Sequence, residues 1–188
     1  MSRLIAHRVK HIKVMGVDMS STSLAFSVFD QSKLCQWGKV YIDGSDNFSK
    51  CGDIIKKFSG LCDLVQPDLV VFESSTYVNN NAVMKQLSMV FGAAAGVAIN
   101  AGAQVQDVPP TTWQSYIGNP ANSKKQKQEF AAANPEMSDS KIKVELRKAR
   151  KQKNIDFVKS QYSVIIDDDD VADAICVGHY AIGKLGGE

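Results

Sequence analysis

Four acids stand where their types and spacing can do chemistry. Asp18 closes the apolar run KVMGVD at 13–18, and Glu73 follows the apolar run LVVF at 69–72. Asp170 and Asp173 stand three apart at the start of an apolar, Ala-rich segment that runs to residue 185. A step of three places two side chains on one helical face. Carboxylates gathered together raise one another's pKa, and a divalent cation is the simplest partner that relieves the repulsion. A donor set of carboxylate oxygens, with no thiol or imidazole, suits Mg²⁺ or Mn²⁺. Two such ions about 3.5–4 Å apart clamp the attacking and leaving oxygens of a phosphodiester. The set therefore predicts metal-dependent hydrolysis at phosphorus, with Asp18, Glu73, Asp170 and Asp173 as both catalytic and metal-binding residues and two ions per site. Taken singly, each acid has a plainer reading: an Asp at a strand end is a turn or cap residue, and the run Asp167–Asp170 complements a helix dipole. The coincidence of all four favours chemistry. The register of the run stays open, because Asp169 lies four before Asp173 and competes with Asp170.

Other chemistries have little to work with. His7, His11 and His179 are scattered, and Cys35, Cys51, Cys62 and Cys176 form no CxxC pair. Zinc spacing and a Ser-His-Asp triad are both missing, and the cysteines read as reduced thiols of a cytoplasmic protein. The longest uncharged stretch, 87–102, is too small in its residues and too short to predict a membrane span. Residues 1–13 lack the apolar core of a secretory signal. The net charge of the 188-residue chain is only +2, yet it is unevenly spread. Residues 120–160 hold eleven Lys and Arg against five Asp and Glu. A basic segment on an acidic body attracts a polyanion with one part and gathers carboxylates with another.

The elements that must position these residues follow from periodicity. Apolar runs at 13–18, 24–29 and 34–42, separated by short turn signals, predict a three-stranded antiparallel meander. Apolar residues at steps of three and four over 48–65 predict a helix, stopped by Pro67. Strands are expected at 69–72 and 104–108, and a small-residue helix at 82–102. Thr111 or Thr112 is expected to cap a short helix carrying Trp113, read as a core residue. Residues 119–140 read as irregular, 141–162 as a basic helix and 171–185 as the last helix. The order predicts an α/β fold with a mixed five-stranded sheet, three strands antiparallel and two parallel, and helices on both faces. This is the ribonuclease H-like arrangement. Residues 1–188 read as one domain with a basic insertion at about 119–150.

At these residues the chain resembles the RuvC family of Holliday junction resolvases, especially its compact phage-type members. The matching pieces are Met15-Gly16-Val17-Asp18, Val70-Val71-Phe72-Glu73, Asn80-Asn81-Ala82 leading into a small-residue helix, Val108-Pro109-Pro110 before Trp113 and Gly118, and Asp170-Val171-Ala172-Asp173-Ala174. They appear in order from about residue 14 to 184. The resemblance implies a homodimer that nicks four-way DNA junctions with Mg²⁺ or Mn²⁺, leaving 5′-phosphates, in a bacterial or phage-infected cytoplasm. It carries the four carboxylates onto Asp18, Glu73, Asp170 and Asp173. The chain also departs from the pattern. Met19-Ser20-Ser21 stands where a Gly is common, Thr76 where bacterial members carry an aromatic wedge, and Trp113 near a functional Lys. A second family Lys finds its match in Lys153.

DNA contact is expected from Lys143, Arg147, Lys148, Arg150, Lys151 and Lys153 on the basic helix and from Lys124 and Lys125 before it. Such cations neutralise phosphates and carry no sequence information. Tyr77 and Asn80 are placed to probe an unstacked junction centre. Met84, Leu87, Met89, Val90 and Phe91 offer a helix–helix dimer seam. Competing readings are another ribonuclease H-like nuclease acting on branched DNA, RNA–DNA hybrid or precursor rRNA, a sugar-kinase-like half-domain, and a non-catalytic junction-binding module.

Overall fold

The computed structural model describes residues 11–74 and 80–185. Three strands, β1 (Lys13–Met19), β2 (Ser23–Asp30) and β3 (Lys33–Tyr41), form the expected meander. Helix α1 (Asn47–Val65) follows, its N-terminus closed by a capping box between Asp46 and Ser49. Then come β4 (Leu69–Glu73), α2 (Asn81–Asn100) and β5 (Gln104–Val108). The sheet order is β3-β2-β1-β4-β5, with β1–β2 and β2–β3 antiparallel and β1–β4 and β4–β5 parallel. Four helices complete the described chain: α3 (Pro110–Tyr116), α4 (Lys124–Ala133), α5 (Asp139–Tyr162) and α6 (Asp169–Leu185). The mixed five-stranded sheet is the expected ribonuclease H-like one.

Strand alternation divides the core in two. Met15 and Val17 of β1 and Val70 and Phe72 of β4 face a cluster with Ile54 and Phe58 of α1 and Val90 and Ala94 of α2. Val14 and Val71 face the other side, among Ala174, Ile175 and Val177 of α6, Val158 of α5 and Trp113 of α3. Asp18 and Glu73 share the parity of Val14 and Val71, so both project toward α6. Helix α6 lies unusually close to β1. A Cβ on Gly16 would meet Ala174 O and Gly178 N at 2.4 Å, and a Cβ on Gly178 would meet the Phe29 ring at the same distance. Two hydrogen atoms in place of two methyl groups thus set the height of α6 over the sheet.

Three local expectations need correction. Residues 119–140 are not wholly irregular, because Ser123 caps α4 through a capping box with Gln126. The short helix α3 begins with Pro110 at its first turn and has no side-chain cap from Thr111 or Thr112. Helix α2 is long and apolar enough to cross a membrane, with mean hydropathy 1.5. It packs one face on α1 and the sheet, through Val90, Ala94, Val97 and Ala98, and leaves Val83 and Ile99 exposed.

Candidate active site

Asp18 and Glu73 come together because β1 and β4 are parallel neighbours, paired up to Val17 and Phe72. Each acid sits one residue beyond that last pair, on the same face of the sheet. Helix α6 then brings Asp170 and Asp173 over them. Its first turn is fixed by Asp168, whose Oδ1 accepts from the backbone N–H groups of Asp170 (3.0 Å) and Val171 (3.1 Å). Asp173 is only 6% exposed. Asp18, Glu73, Asp170 and Asp173 line one cavity of about 410 Å³ together with Arg147, Arg150, Lys151 and Asn154 of α5. All four predicted acids therefore meet in one place. Asp170 lines this cavity and Asp169 does not.

The four fall into two electrostatic kinds. Burial, then the charges of Glu73, Asp173 and Asp170, hold the Asp18 carboxyl well above the usual carboxylate range, with Lys151 pulling the other way. Burial and the neighbouring Asp173 push Glu73 up to about 7, against the pull of Trp113, Lys151 and Arg150. Burial pushes Asp173 up to about 6, opposed by a hydrogen bond from Asn154 and by Lys151. Asp170 behaves differently. Burial favours its neutral form, but Lys39 and Lys151 outweigh burial and hold it below the usual range.

The groups that orient these acids come from distant elements. Trp113, fully buried, donates from Nε1 to Glu73 Oε2 at 2.9 Å. Asn154 donates from Nδ2 to Asp173 Oδ1 at 2.7 Å and accepts from Asn119 Nδ2 at 2.6 Å. Lys39 of β3 reaches Asp170 Oδ2 at 2.7 Å and Asp168 Oδ2 at 2.9 Å. Lys151 pairs with Asp169 and reaches Asp170 Oδ1 at 3.2 Å. Both oxygens of Asp170 are thus covered by ammonium groups. Trp113, Asn154, Asn119 and Lys39 were not singled out as site residues by the sequence. Only Asn154 left a trace there, three residues after Lys151 and so on the same helical face.

The expected DNA-contacting residues take varied positions. Arg147, Arg150 and Lys151 line the acidic cavity. Lys124 and Lys143 line a neighbouring groove. Lys125 and Lys148 are exposed and paired with Glu129 and Glu145. Lys153 is exposed on α5; the cation that reaches the acids from this helix is Lys151. Asn80 caps α2, its Oδ1 accepting from Ala82 N and Val83 N. Tyr77 lies outside the described residues.

The donor set fits a hard divalent cation. It consists of carboxylate oxygens, three of them on mutually repelling and largely enclosed acids, with no thiol or imidazole among the cavity residues. Among the described residues, oxygens of Asp168, Asp169 and Asp170 also lie within 4.8 Å of one another.

No family model matches the chain, and no curated protein matches it in sequence. Solved structures do. Thermus thermophilus RuvC in complex with a Holliday junction substrate superposes with a TM-score of 0.68 at 14% identity, covering 94% of this chain and 97% of that one. A second Thermus thermophilus RuvC structure gives 0.64 at 15% identity, over 93% and 97% of the two chains. The yeast mitochondrial Holliday junction resolvase Ydc2 gives 0.54 at 14% identity, over 92% and 78%. The chain has a ribonuclease H-like fold. Within that class its arrangement of strands and helices is RuvC-like.

Proposed function

We propose that the chain is a structure-selective endonuclease that resolves four-way DNA junctions by divalent-metal-dependent phosphodiester hydrolysis, leaving 5′-phosphates. The observation that carries this reading is the convergence of Asp18, Glu73 and Asp173, from three separate elements, in a cavity with a cationic rim. A chain that only bound DNA would gain nothing from buried acids that repel phosphate. The likeness of the fold to junction resolvases supports the same reading.

Asp18, Glu73, Asp170 and Asp173 would hold Mg²⁺ or Mn²⁺, two ions per site. Bound there, the metal supplies charge neutralisation and an activated water for attack on phosphorus. The chain's own residues do the rest. Trp113 and Asn154 fix the direction in which Glu73 and Asp173 present their oxygens. Burial and the neighbouring carboxylates raise Glu73 to about 7 and Asp173 to about 6, so a bound cation is what would hold both ionised as ligands at neutral pH. Lys151 and Arg150 face the phosphate. Lys124, Lys125, Lys143, Arg147, Lys148 and Lys153 add electrostatic attraction to the DNA, and Tyr77 and Asn80 are assigned to contact with the junction centre.

We assign residues 1–188 to one nuclease domain with 119–150 inserted, related to the phage-type members. It works as a homodimer through the exposed face of α2, in a bacterial or phage-infected cytoplasm. Four free cysteines accord with a reducing compartment. Labelled four-way junction, flap and RNA–DNA hybrid substrates, each incubated with Mg²⁺, Mn²⁺ or EDTA, test the proposal. Symmetric nicks in the junction that need the metal are expected. Preferred cleavage of the hybrid overturns the substrate assignment.

A further inference from the structure

Helices α4 and α5 enclose a groove of about 430 Å³ next to the acidic cavity. Its walls follow two facing helical stripes. On α4 the lining positions are Lys124, Lys127, Gln128 and Ala131; on α5 they run from Asp139 through Ile142, Lys143, Leu146 and Arg147 to Arg150. Both sets step by three and four, so each is one continuous face. Arg147 and Arg150 line the groove and the acidic cavity alike. The α5 face then continues through Lys151 and Asn154 into the cavity. From Asp139 to Asn154 it is about 22 Å long at helical rise.

The cations of this segment are sorted. Lys125 and Lys148, outside the groove, are neutralised by Glu129 and Glu145. Among the described residues no hydrogen bond or ion pair engages the side chains of Lys124, Lys127, Lys143 or Arg147. Arg150 donates from Nη2 to Gln114 at 2.9 Å, and its Nε finds no partner. Five cations thus face the groove against one acid, Asp139, over an apolar floor of Ala131, Ile142 and Leu146. An acidic partner of protein type needs no link to the catalytic cavity. A strand whose phosphate must reach that cavity does.

We propose that this groove is the exit track for the DNA strand that carries the scissile phosphate. Its phosphates lie along Arg150, Arg147 and Lys143, with Lys124 and Lys127 opposite, and the sugars rest on the apolar floor. The inference rests on the nuclease reading and extends it by assigning the inserted helix pair to one strand of the substrate.

The test reads binding, so it is independent of cleavage. Affinity of the full chain for a labelled four-way junction is measured across a salt series. Lys124→Glu with Lys127→Glu and Lys143→Glu is expected to weaken binding roughly tenfold or more, and to flatten the salt slope by about two to three. A control with the same charge change at Lys33, Lys56 and Lys159, three exposed lysines off the groove, is expected to keep the wild-type slope. Circular dichroism confirms that both fold. A photoreactive benzoylphenylalanine at Gln128 is expected to crosslink to a junction strand. An unchanged slope in the groove variant, or crosslinking only to a second protein copy, overturns the proposal. A wild-type chain that binds no DNA sinks the nuclease reading itself.

Discussion

Trp113 Nε1 donates a hydrogen bond to Glu73 Oε2 at 2.9 Å, although the two residues are forty positions apart in the chain. A buried indole thereby both fills the core beneath α6 and fixes one acid of the site. The bond favours ionised Glu73, because the donor stabilises the charged form. Trp113→Phe keeps most of the ring volume and removes the donor. Glu73 then protonates at higher pH. Cleavage is expected to fall more at pH 6.5 than at pH 9, moving the acidic limb of the pH–rate profile upward. An unmoved limb, with rates lowered equally at every pH, would mean that the indole serves packing alone.

Asp173 is the most enclosed of the four acids and is held by Asn154. Asp173→Asn keeps an acceptor for that bond and removes the charge. It is expected to lower cleavage by about 10²–10⁴-fold while junction binding stays at the wild-type level. A variant that still nicks at near the wild-type rate would place the chemistry elsewhere.

Acidity links the site to stability. Glu73 and Asp173 are raised to about 7 and about 6 in the folded chain from 4.5 and 3.8. The folded state therefore holds their protons longer than the unfolded state does. Stability from these groups falls as pH rises from about 4 to 7 and stays low above that. In EDTA, the gap in Tm between Glu73→Gln and wild type is expected to widen in favour of the variant across this window. Added Mg²⁺ is expected to raise the wild-type Tm more at pH 8 than at pH 5.5, since an ion binds the ionised carboxylates. Thermal melts at the two pH values decide both points. A magnesium effect of equal size at both would argue that the ion binds elsewhere.

Lys39 ties the outer strand β3 to the start of α6 through Asp168 and Asp170. Its side chain is only 16% exposed. Lys39→Met leaves Asp168 without its cation and Asp170 with Lys151 alone. A loss of about 1 kcal/mol is expected, shrinking at high salt because the acids reach solvent. Urea unfolding at low and high salt measures it. A salt-independent loss would point to packing of the lysine stem instead.

Much of this architecture was legible because local rules and the global fold agree. Apolar runs at 13–18 and 69–72, together with helical periodicity in 48–65, placed β1, β4 and α1, and with them Asp18 and Glu73 at strand ends. Helix α4 was not legible. Its first six residues are polar, its apolar ones fall in a single run at 130–133, and it buries no residue completely, so it shows no apolar period to read. Lys39 was invisible for a different reason. It sits on the edge strand β3 between Gly38 and Val40, and its partner Asp168 lies 129 residues further on. Trp113 read as core, which it is; no sequence rule says where a buried indole aims its N–H. Asp170 and Asp169 were indistinguishable by spacing, and only the turn of α6 over the sheet separates them.

The contact of Gly16 with Gly178 has a bearing on the acids that neither residue touches. Backbone already meets backbone there, so α6 has no room to sink and little freedom to tilt in response to the charges at its tip. The carboxylates cannot escape one another by a shift of the helix. Their crowding must instead be relaxed by a proton or by a captured ion. Appetite for a cation is thus written partly into two missing side chains, well away from any oxygen that would hold one.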